Sequence, residues 1–499
     1  MIEAYTVEDV RRAEEARLAE VPVGALMQRA AAGVATACAR VLGERRSRVT
    51  GARVVLLVGA GNNGGDALWA GQRLAARGAR VDAVLTAGSA HPEGLAALLA
   101  AGGRAVDATA GAGAGAEACR RADLVVDGLV GLGGSPGLRE PAASLVAAVP
   151  ATTPVVAVDL PSGVAPDTGE TPAPHVTADV TVTFGAAKPC LLLPPAARAA
   201  GRVEVVDIGL GPHLADSAPC GPSVRRFTLA DAAAAWPWPR ATDDKYRRGV
   251  VGVVAGSPAY PGAAVLVCSG AVRSGAGMVR YLGAEQVARQ VLAHRPEVVA
   301  GAGRVQAYAL GSGIDPDRDD AQRERLHDAL DTGLPCVADA GALDVVAERL
   351  LAADPVPAQL LLTPHAGELA RLLTTLGEGS PSRADVEARP LHHARAAAAA
   401  TGAAVLLKGS VTVVVTPDGR AVSQDGAPSW LATAGAGDVL AGIAGTLLAA
   451  GLDPVTTGAL AALVHGLAAT LASRGGPLAA GDVAAAVPRI VSALPDWGR

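Results

Sequence analysis

Val54-Val55-Leu56-Leu57-Val58-Gly59-Ala60-Gly61-Asn62-Asn63-Gly64-Gly65-Asp66 sets the architecture of the first half of the chain. Five apolar residues in a row, three of them β-branched, read as a strand buried on both faces, the pattern of a parallel sheet covered by helices. The polar, glycine-rich segment behind them then falls at a strand end, where ligands bind in open α/β sheets. The same order returns twice. The run 124–126 precedes Asp127-Gly128-Leu129-Val130-Gly131-Leu132-Gly133-Gly134-Ser135-Pro136-Gly137, and the run 155–158 precedes Asp159-Leu160-Pro161-Ser162-Gly163. Three polar loops are therefore expected to converge on one crevice.

Around this core, Thr6 and Asp9 have the spacing of a helix cap for a charged helix reaching about Glu20, and 24–42 reads as a second, more apolar helix. Further strands are expected at 179–184 and 203–208. Between Gly209 and Val224 the hydrophobic period is lost in Gly, Pro, His, Asp and Ser, which marks a domain boundary. The 499 residues exceed what one core usually serves, so two α/β domains are expected, 1–215 and 225–499.

Half the residues are hydrophobic but only 2% are aromatic, so Ala, Val and Leu must fill both cores. The formal charge of −5, without a long Lys/Arg run, argues against nucleic acid. The acidic start, Met1 to Asp9, lacks the order of a secretion signal and implies a cytoplasmic protein. The uncharged stretches 250–272 and 454–473 carry Gly and Pro, or Thr and His, and read as buried elements and not as membrane spans. Six dispersed cysteines, at 38, 119, 190, 220, 268 and 336, show no zinc or redox spacing and read as small buried hydrophobes. Of the 43 basic residues only 188, 245 and 408 are lysine, so these three are candidates for roles that arginine cannot fill.

The second half repeats the alternation. Strands are expected at 250–255, 277–282, 307–310, 335–339, 359–363, 403–407 and 411–416, with helices at 262–274 and 366–376. Loops with glycine or polar residues follow strand after strand: Gly256-Ser257, Gly311-Ser312-Gly313, Asp339-Ala340-Gly341, Thr363-Pro364-His365 and Lys408-Gly409-Ser410. The series ends in Ala434-Gly435-Ala436-Gly437-Asp438, which opens an apolar helix. Small residues at a helix start let backbone N–H groups approach an anion. A carboxylate there repels phosphate, so Asp438 reads as the group that orients and deprotonates an attacking hydroxyl.

In the first half, Asn62 to Asp66 suggests a cradle for a diphosphate or similar polar group. The competing reading is an Asn-Gly turn with Asp66 capping the next helix. Burying Asp127 and Asp159 near one crevice requires compensation. Either a metal ion sits among oxygens of Asn63, Asp127 and Ser162, or one acid is held protonated and works as a proton donor or acceptor. In the second half, His365 could cap the helix near Glu368 or touch substrate, while Lys408 could snorkel or meet a nucleotide phosphate.

The segments Gly61 to Asp66, Ala157 to Gly163 and Thr183-Phe184-Gly185-Ala186-Ala187-Lys188-Pro189 resemble the NAD(P)H-hydrate epimerase family, a Rossmann-like three-layer α/β domain. The resemblance implies that Asn62, Asn63, Gly64, Gly65, Asp66, Gly131, Leu132, Gly133, Gly134, Ser135, Pro136 and Gly137 hold the hydrate. It makes Asp159 catalytic and assigns potassium to Asn63, Asp127 and Ser162. The segments 252–279, His294-Arg295-Pro296-Glu297, Thr363-Pro364-His365 and Leu431 to Gly442 resemble the ADP-dependent NAD(P)H-hydrate dehydratases of the ribokinase-like superfamily. That likeness implies hydrate contacts at Ala263, Gly313, His365 and Asp438, with Asp438 as catalytic base. Nucleotide contacts are implied at Lys408, Gly409, Ser410, Val411, Thr412 and Gly437, with ADP as phosphoryl donor and Mg²⁺ beside it. Ala67, Leu160, Ser312 and Gly341 depart from the residues common at their positions. Together the halves resemble a fused repair enzyme acting on NADHX and NADPHX, expected to be a homo-oligomer. The rival is a ribokinase-like small-molecule kinase fused to a non-catalytic nucleotide-binding module.

Overall fold

The computed structural model describes residues 1–109 and 111–497, which form two compact units, Glu3–Val224 and Arg225 onward with Met1–Ile2. In the first unit the strands lie in the order Arg104–Asp107, Arg80–Leu85, Arg53–Val58, Leu124–Gly128, Val155–Val158, Val180–Phe184 and Arg202–Val206, all parallel. Chain order runs outward in opposite directions from the junction of Arg53–Val58 and Leu124–Gly128. That reversal opens a crevice outside the strand ends, and it brings Asn63 against Gly131. Thr6 caps the helix Val7–Leu18, its hydroxyl accepting from the Asp9 N–H as the spacing predicts. The longer helix Ala25–Arg46 lays Val34, Cys38, Val41 and Leu42 against the sheet core.

One expectation fails here. Asn62 to Asp66 is neither a loop nor a turn capped by Asp66, but the opening of the helix Asn62–Ala76, with Gly61 at its N-cap. Two consecutive glycines are poor helix formers. Packing overrides propensity: a Cβ on Gly64 would stand 2.1 Å from the Gly59 carbonyl oxygen. The strands Arg80–Leu85 and Arg104–Asp107 escaped the sequence reading because they alternate with charge toward the sheet edge.

The second unit has a mixed sheet. Ala421–Gln424, Thr412–Val415 and Ala404–Leu407 are antiparallel neighbours, and Leu360–Leu362, Cys336–Ala338, Ala307–Leu310, Val250–Val254, Met278–Tyr281 and Val299–Ala300 continue in parallel. Order reverses between Val250–Val254 and Ala307–Leu310, so this unit also has a crevice at its switch point. The helices Pro261–Arg273 and Ala436–Ala449 cross with almost no space between backbones. A Cβ on Gly442 would lie 2.1 Å from the Val267 carbonyl oxygen, and one on Gly270 would lie 2.4 Å from that of Val439. Such contacts explain a core built mainly from Ala, Val and Leu, with Trp236 and Tyr281 as its buried aromatics. The helix Pro454–Ser473 is long and apolar enough to cross a membrane, yet 61% of its most apolar window is buried in this core. Five cysteines are buried as expected, but Cys220 is exposed.

Candidate functional site

The crevice of the first unit is a cavity of about 1,110 Å³. Asn62, Asn63, Asp66, Gly131, Leu132, Gly133, Gly134 and Asp159 line it. Gly64 and Gly65 are buried behind them, and Ser135, Pro136 and Gly137 are not among the lining residues. Gly137 instead donates to the Gly163 carbonyl, and the Ser135 hydroxyl accepts from Arg139. A Cβ on Gly131 would lie 2.3 Å from Asn63 Oδ1, so the bare backbone there is what admits the asparagine.

Asp159 ends its strand with φ +69°, a left-handed conformation costly for a non-glycine residue. Its carboxylate is compensated from within the chain. The Lys188 ammonium, itself fully buried, donates to Asp159 Oδ1 at 2.5 Å, to Thr183 Oγ1 at 3.0 Å and to the Phe184 carbonyl at 3.1 Å. The sequence offered a metal ion or a captured proton; the structure adds a third answer, an internal lysine. Only the scarcity of lysine pointed toward it.

Asp127 is fully buried and its carboxyl is pushed up to about 6 by that burial, against hydrogen bonds that lower it. Oδ1 accepts from Ser162 Oγ at 2.6 Å and from the Leu129 N–H, and Oδ2 accepts from the Ser162 N–H at 2.8 Å. Asn63 Nδ2 donates to the Val158 carbonyl, which leaves its Oδ1 as an acceptor toward Gly131. Carboxylate, amide, hydroxyl and carbonyl oxygens are the donor chemistry of a hard monovalent cation. Asn63, Asp127 and Ser162 group oxygens of that kind.

Asp66 and Glu14 of this cavity have no ammonium in hydrogen-bond contact. Asp66 is 5% exposed, its Oδ1 has no hydrogen-bond partner, and its carboxyl is raised well above the usual range by burial, with Asp159 and Glu14 adding to the effect. Glu14, on the helix Val7–Leu18, is raised by burial; Lys188 and Arg11 oppose the shift and Asp159 adds to it. Glu14 was not among the sequence candidates, because nothing local distinguishes it from its neighbour Glu15.

In the second unit Gly435 takes φ +85° at the N-cap of Ala436–Ala449, which places Asp438 in the first turn. Burial, followed by the charge of Asp339, pushes the Asp438 carboxyl up to about 7, while Lys408 and a hydrogen bond from Ser312 oppose the shift. Asp339 is the hub: it accepts from Ser312 Oγ at 3.0 Å, Thr363 Oγ1 at 3.0 Å and Lys408 Nζ at 2.6 Å. Lys408 also lies 3.6 Å from Glu368 and 3.4 Å from where a Cβ on Gly437 would be. Its ammonium thus sits between the carboxylate hub and the glycine turn. The sequence placed Ser312, Asp339 and Thr363 in strand-end loops but did not reveal their pairing, or that of Glu368, with the site, since Asp339 and Lys408 are 69 residues apart.

Ala263 and Gly313 face each other across the switch point: a Cβ on Gly313, at φ +68°, would lie 2.4 Å from that of Ala263. His365 caps its helix, Nδ1 accepting from the Gly367 and Glu368 N–H groups, while the side chain remains 56% exposed. Gly409, Ser410 and Val411 connect Ala404–Leu407 to Thr412–Val415, and Val411 is buried. His465, a buried residue absent from the sequence candidates, is pulled down to about 4 by burial, so it is neutral behind the Ala436 turn.

Residues 251–486 match the family model described as NAD(P)H-hydrate dehydratase, and residues 23–190 match that of the YjeF-related protein N-terminus. The bifunctional NAD(P)H-hydrate repair enzyme Nnr of Mycobacterium tuberculosis is 46% identical over 457 residues, spanning 90% of this chain and 89% of that protein. Its counterpart from Mycobacterium leprae is 45% identical over 496 residues, 98% of this chain and 97% of the relative. Among solved structures, the ADP/ATP-dependent NAD(P)H-hydrate dehydratase of Bacillus subtilis, co-crystallised with ATP/Mg²⁺, has 26% identity and a TM-score of 0.49. It covers 54% of this chain and 99% of its own. Two matching family models on two compact units, with relatives aligned across both, establish that the chain belongs to the bifunctional NAD(P)H-hydrate repair enzymes.

Proposed function

We propose that residues 1–215 interconvert the R and S forms of NADHX and NADPHX, and that residues 225–499 dehydrate the S form with ADP. The observation that carries the second assignment is Asp438, a carboxyl pushed up to about 7 in the first turn behind Gly435. A base with that pKa is half ionised near neutrality and well placed to take a proton in a phosphoryl transfer.

Asp438 takes the proton of the C6 hydroxyl as that oxygen attacks the β-phosphorus of ADP and AMP departs. Backbone N–H groups of 435–438 face the transferred charge. The C6–O bond then breaks as the ring-nitrogen lone pair forms N1=C6 and phosphate leaves; loss of a C5 proton to the departing phosphate forms C5=C6, returns the electrons to nitrogen and gives the reduced cofactor. Ala263, Gly313 and His365 contact the hydrate. Lys408, held beside Gly437, and the 409–412 segment contact the nucleotide. Mg²⁺ bound with the nucleotide would neutralise charge on its phosphates.

In the first unit Asn62 to Asp66 and the lining residues of 131–137 hold the hydrate, and Asp159 exchanges protons with it. Potassium held by Asn63, Asp127 and Ser162 would supply a fixed positive charge near the cradle. A homo-oligomeric, cytoplasmic protein completes the reading, with sedimentation and fractionation as its checks. The deciding assay incubates each separated epimer with ADP or ATP and follows both epimers, reduced cofactor and phosphate. Release of phosphate with recovery of reduced cofactor supports repair, whereas a stable phosphoester would establish a kinase.

A further inference from the structure

The cavity of the first unit presents acids from two sides. Asp159 stands at a strand end, locked to Lys188. Glu14 comes from the helix Val7–Leu18, which is tied over the crevice by Arg11 donating to the Leu132 carbonyl at 3.1 Å and by the Val7 N–H donating to Asp167 at 2.9 Å. Val10 and Ala13 of that helix are fully buried, which fixes the helix face carrying Glu14. Glu14 precedes residue 23, where the match to the N-terminal family model begins.

We propose that Glu14 is a catalytic general acid of the epimerisation, paired across the hydrate ring with Asp159 as the base. The inference rests on the epimerase reading above. Glu14 gives its proton to the C6 hydroxyl oxygen as the C6–O bond breaks, and that bonding pair leaves with the oxygen as water. The ring-nitrogen lone pair forms the N1=C6 double bond of an iminium ion. A water molecule on the opposite face then attacks C6, the double-bond electrons return to nitrogen, and Asp159 accepts the proton lost by the new hydroxyl. The two protons balance, and exchange with solvent returns Glu14 to its acid form. The environments suit these roles: the Glu14 carboxyl, raised by burial, retains a proton to give, and the Lys188 ammonium holds Asp159 in place at the strand end.

The test uses the full chain without ADP and a single purified hydrate epimer, with chromatographic separation of R and S over time. Glu14→Gln is expected to lower kcat at least 100-fold with KM within threefold, as loss of a general acid does. Glu15→Gln, on an exposed neighbour, is expected to match wild type. Wild-type kcat should fall on the alkaline side as Glu14 ionises, and Glu14→Gln should remove that limb. The groups facing Glu14 are Arg11 of its own helix, Asp66, Asp159 and Lys188. Dehydration of the S hydrate with ADP, measured on the same samples, reports an intact chain. Should Glu14→Gln lower the thermal stability of the first unit, Glu14→Asp decides: recovery of at least tenfold over Glu14→Gln supports the acid role, and no recovery overturns it. Epimerisation by Glu14→Gln within threefold of wild type, or a loss confined to KM, overturns the inference alone. A wild-type chain inert toward either pure epimer overturns the epimerase reading itself.

Discussion

Replacing Lys188 with methionine removes the ammonium that compensates Asp159 while keeping much of the side-chain volume. In the native unit this ammonium makes three hydrogen bonds, and both members of the pair are shielded from water, Lys188 at 0% and Asp159 at 4% exposed. Removing one partner of such a pair strands the other as an uncompensated charge, which costs about 3–5 kcal/mol. For a unit of this size each kcal/mol lowers the melting temperature by about 2–4 °C, so the first unit should melt roughly 6–20 °C lower. Scanning calorimetry of the full chain reads this directly, with the transition of the second unit and its ADP-dependent dehydration as internal references. Adding Asp159→Asn to Lys188→Met should recover most of the loss, because the stranded charge is gone. A shift below about 1 kcal/mol for Lys188→Met, or a double variant no more stable than the single one, would refute the claim that the lysine is the counterion of Asp159.

Asp438→Asn should reduce dehydration of the S hydrate about 10²–10⁴-fold while ADP still binds, as seen by comparing turnover with calorimetric titration. Because its folded pKa is raised to about 7, the wild-type base is lost as pH falls through that value. The kcat/KM for dehydration should therefore rise from pH 6 to 8 and level off above, and a flat profile would contradict the assignment. Gly313→Ala places a methyl 2.4 Å from the Ala263 Cβ at a φ of +68°. About 1–3 kcal/mol of strain is expected in the second unit, with loss of dehydration and unchanged epimerisation. Ser162→Ala removes the 2.6 Å hydroxyl bond to buried Asp127 and should cost about 1.5–3 kcal/mol. Exchanging sodium for potassium chloride at constant ionic strength should raise the first melting transition of wild type and leave that of Ser162→Ala unmoved.

What the sequence disclosed depended on distance along the chain and on the burial of each element. Strands such as Val155–Val158 were legible because burial on both faces leaves an unbroken apolar run, whereas Arg104–Asp107 is largely exposed and carries charge at both ends. The caps at Thr6 and His365 were readable because each joins residues two or three apart. Asp159 and Asp438 drew attention through local contrast, a carboxylate at the end of an apolar strand or within a glycine turn. Their partners did not. Lys188 reaches Asp159 across 29 positions and Asp339 reaches Lys408 across 69, so pairing was hidden even though each lysine was conspicuous by rarity. Asn62 to Asp66 misled in the opposite way, since its composition states a turn, while the glycine at 64 is there because the Gly59 carbonyl leaves no room for a Cβ in the helix.

The scarcity of lysine has a practical side. With Lys188 sealed inside and Lys408 clamped by carboxylates and 20% exposed, Lys245 carries the lysine amine open to solvent. Among the lysines, amine-directed dyes, crosslinkers and surface-coupling chemistry should therefore modify Lys245 first, in the unit that contains Asp438. That lysine is not among the residues lining the cavity of the first unit, so coupling there leaves the cavity chemically unmodified.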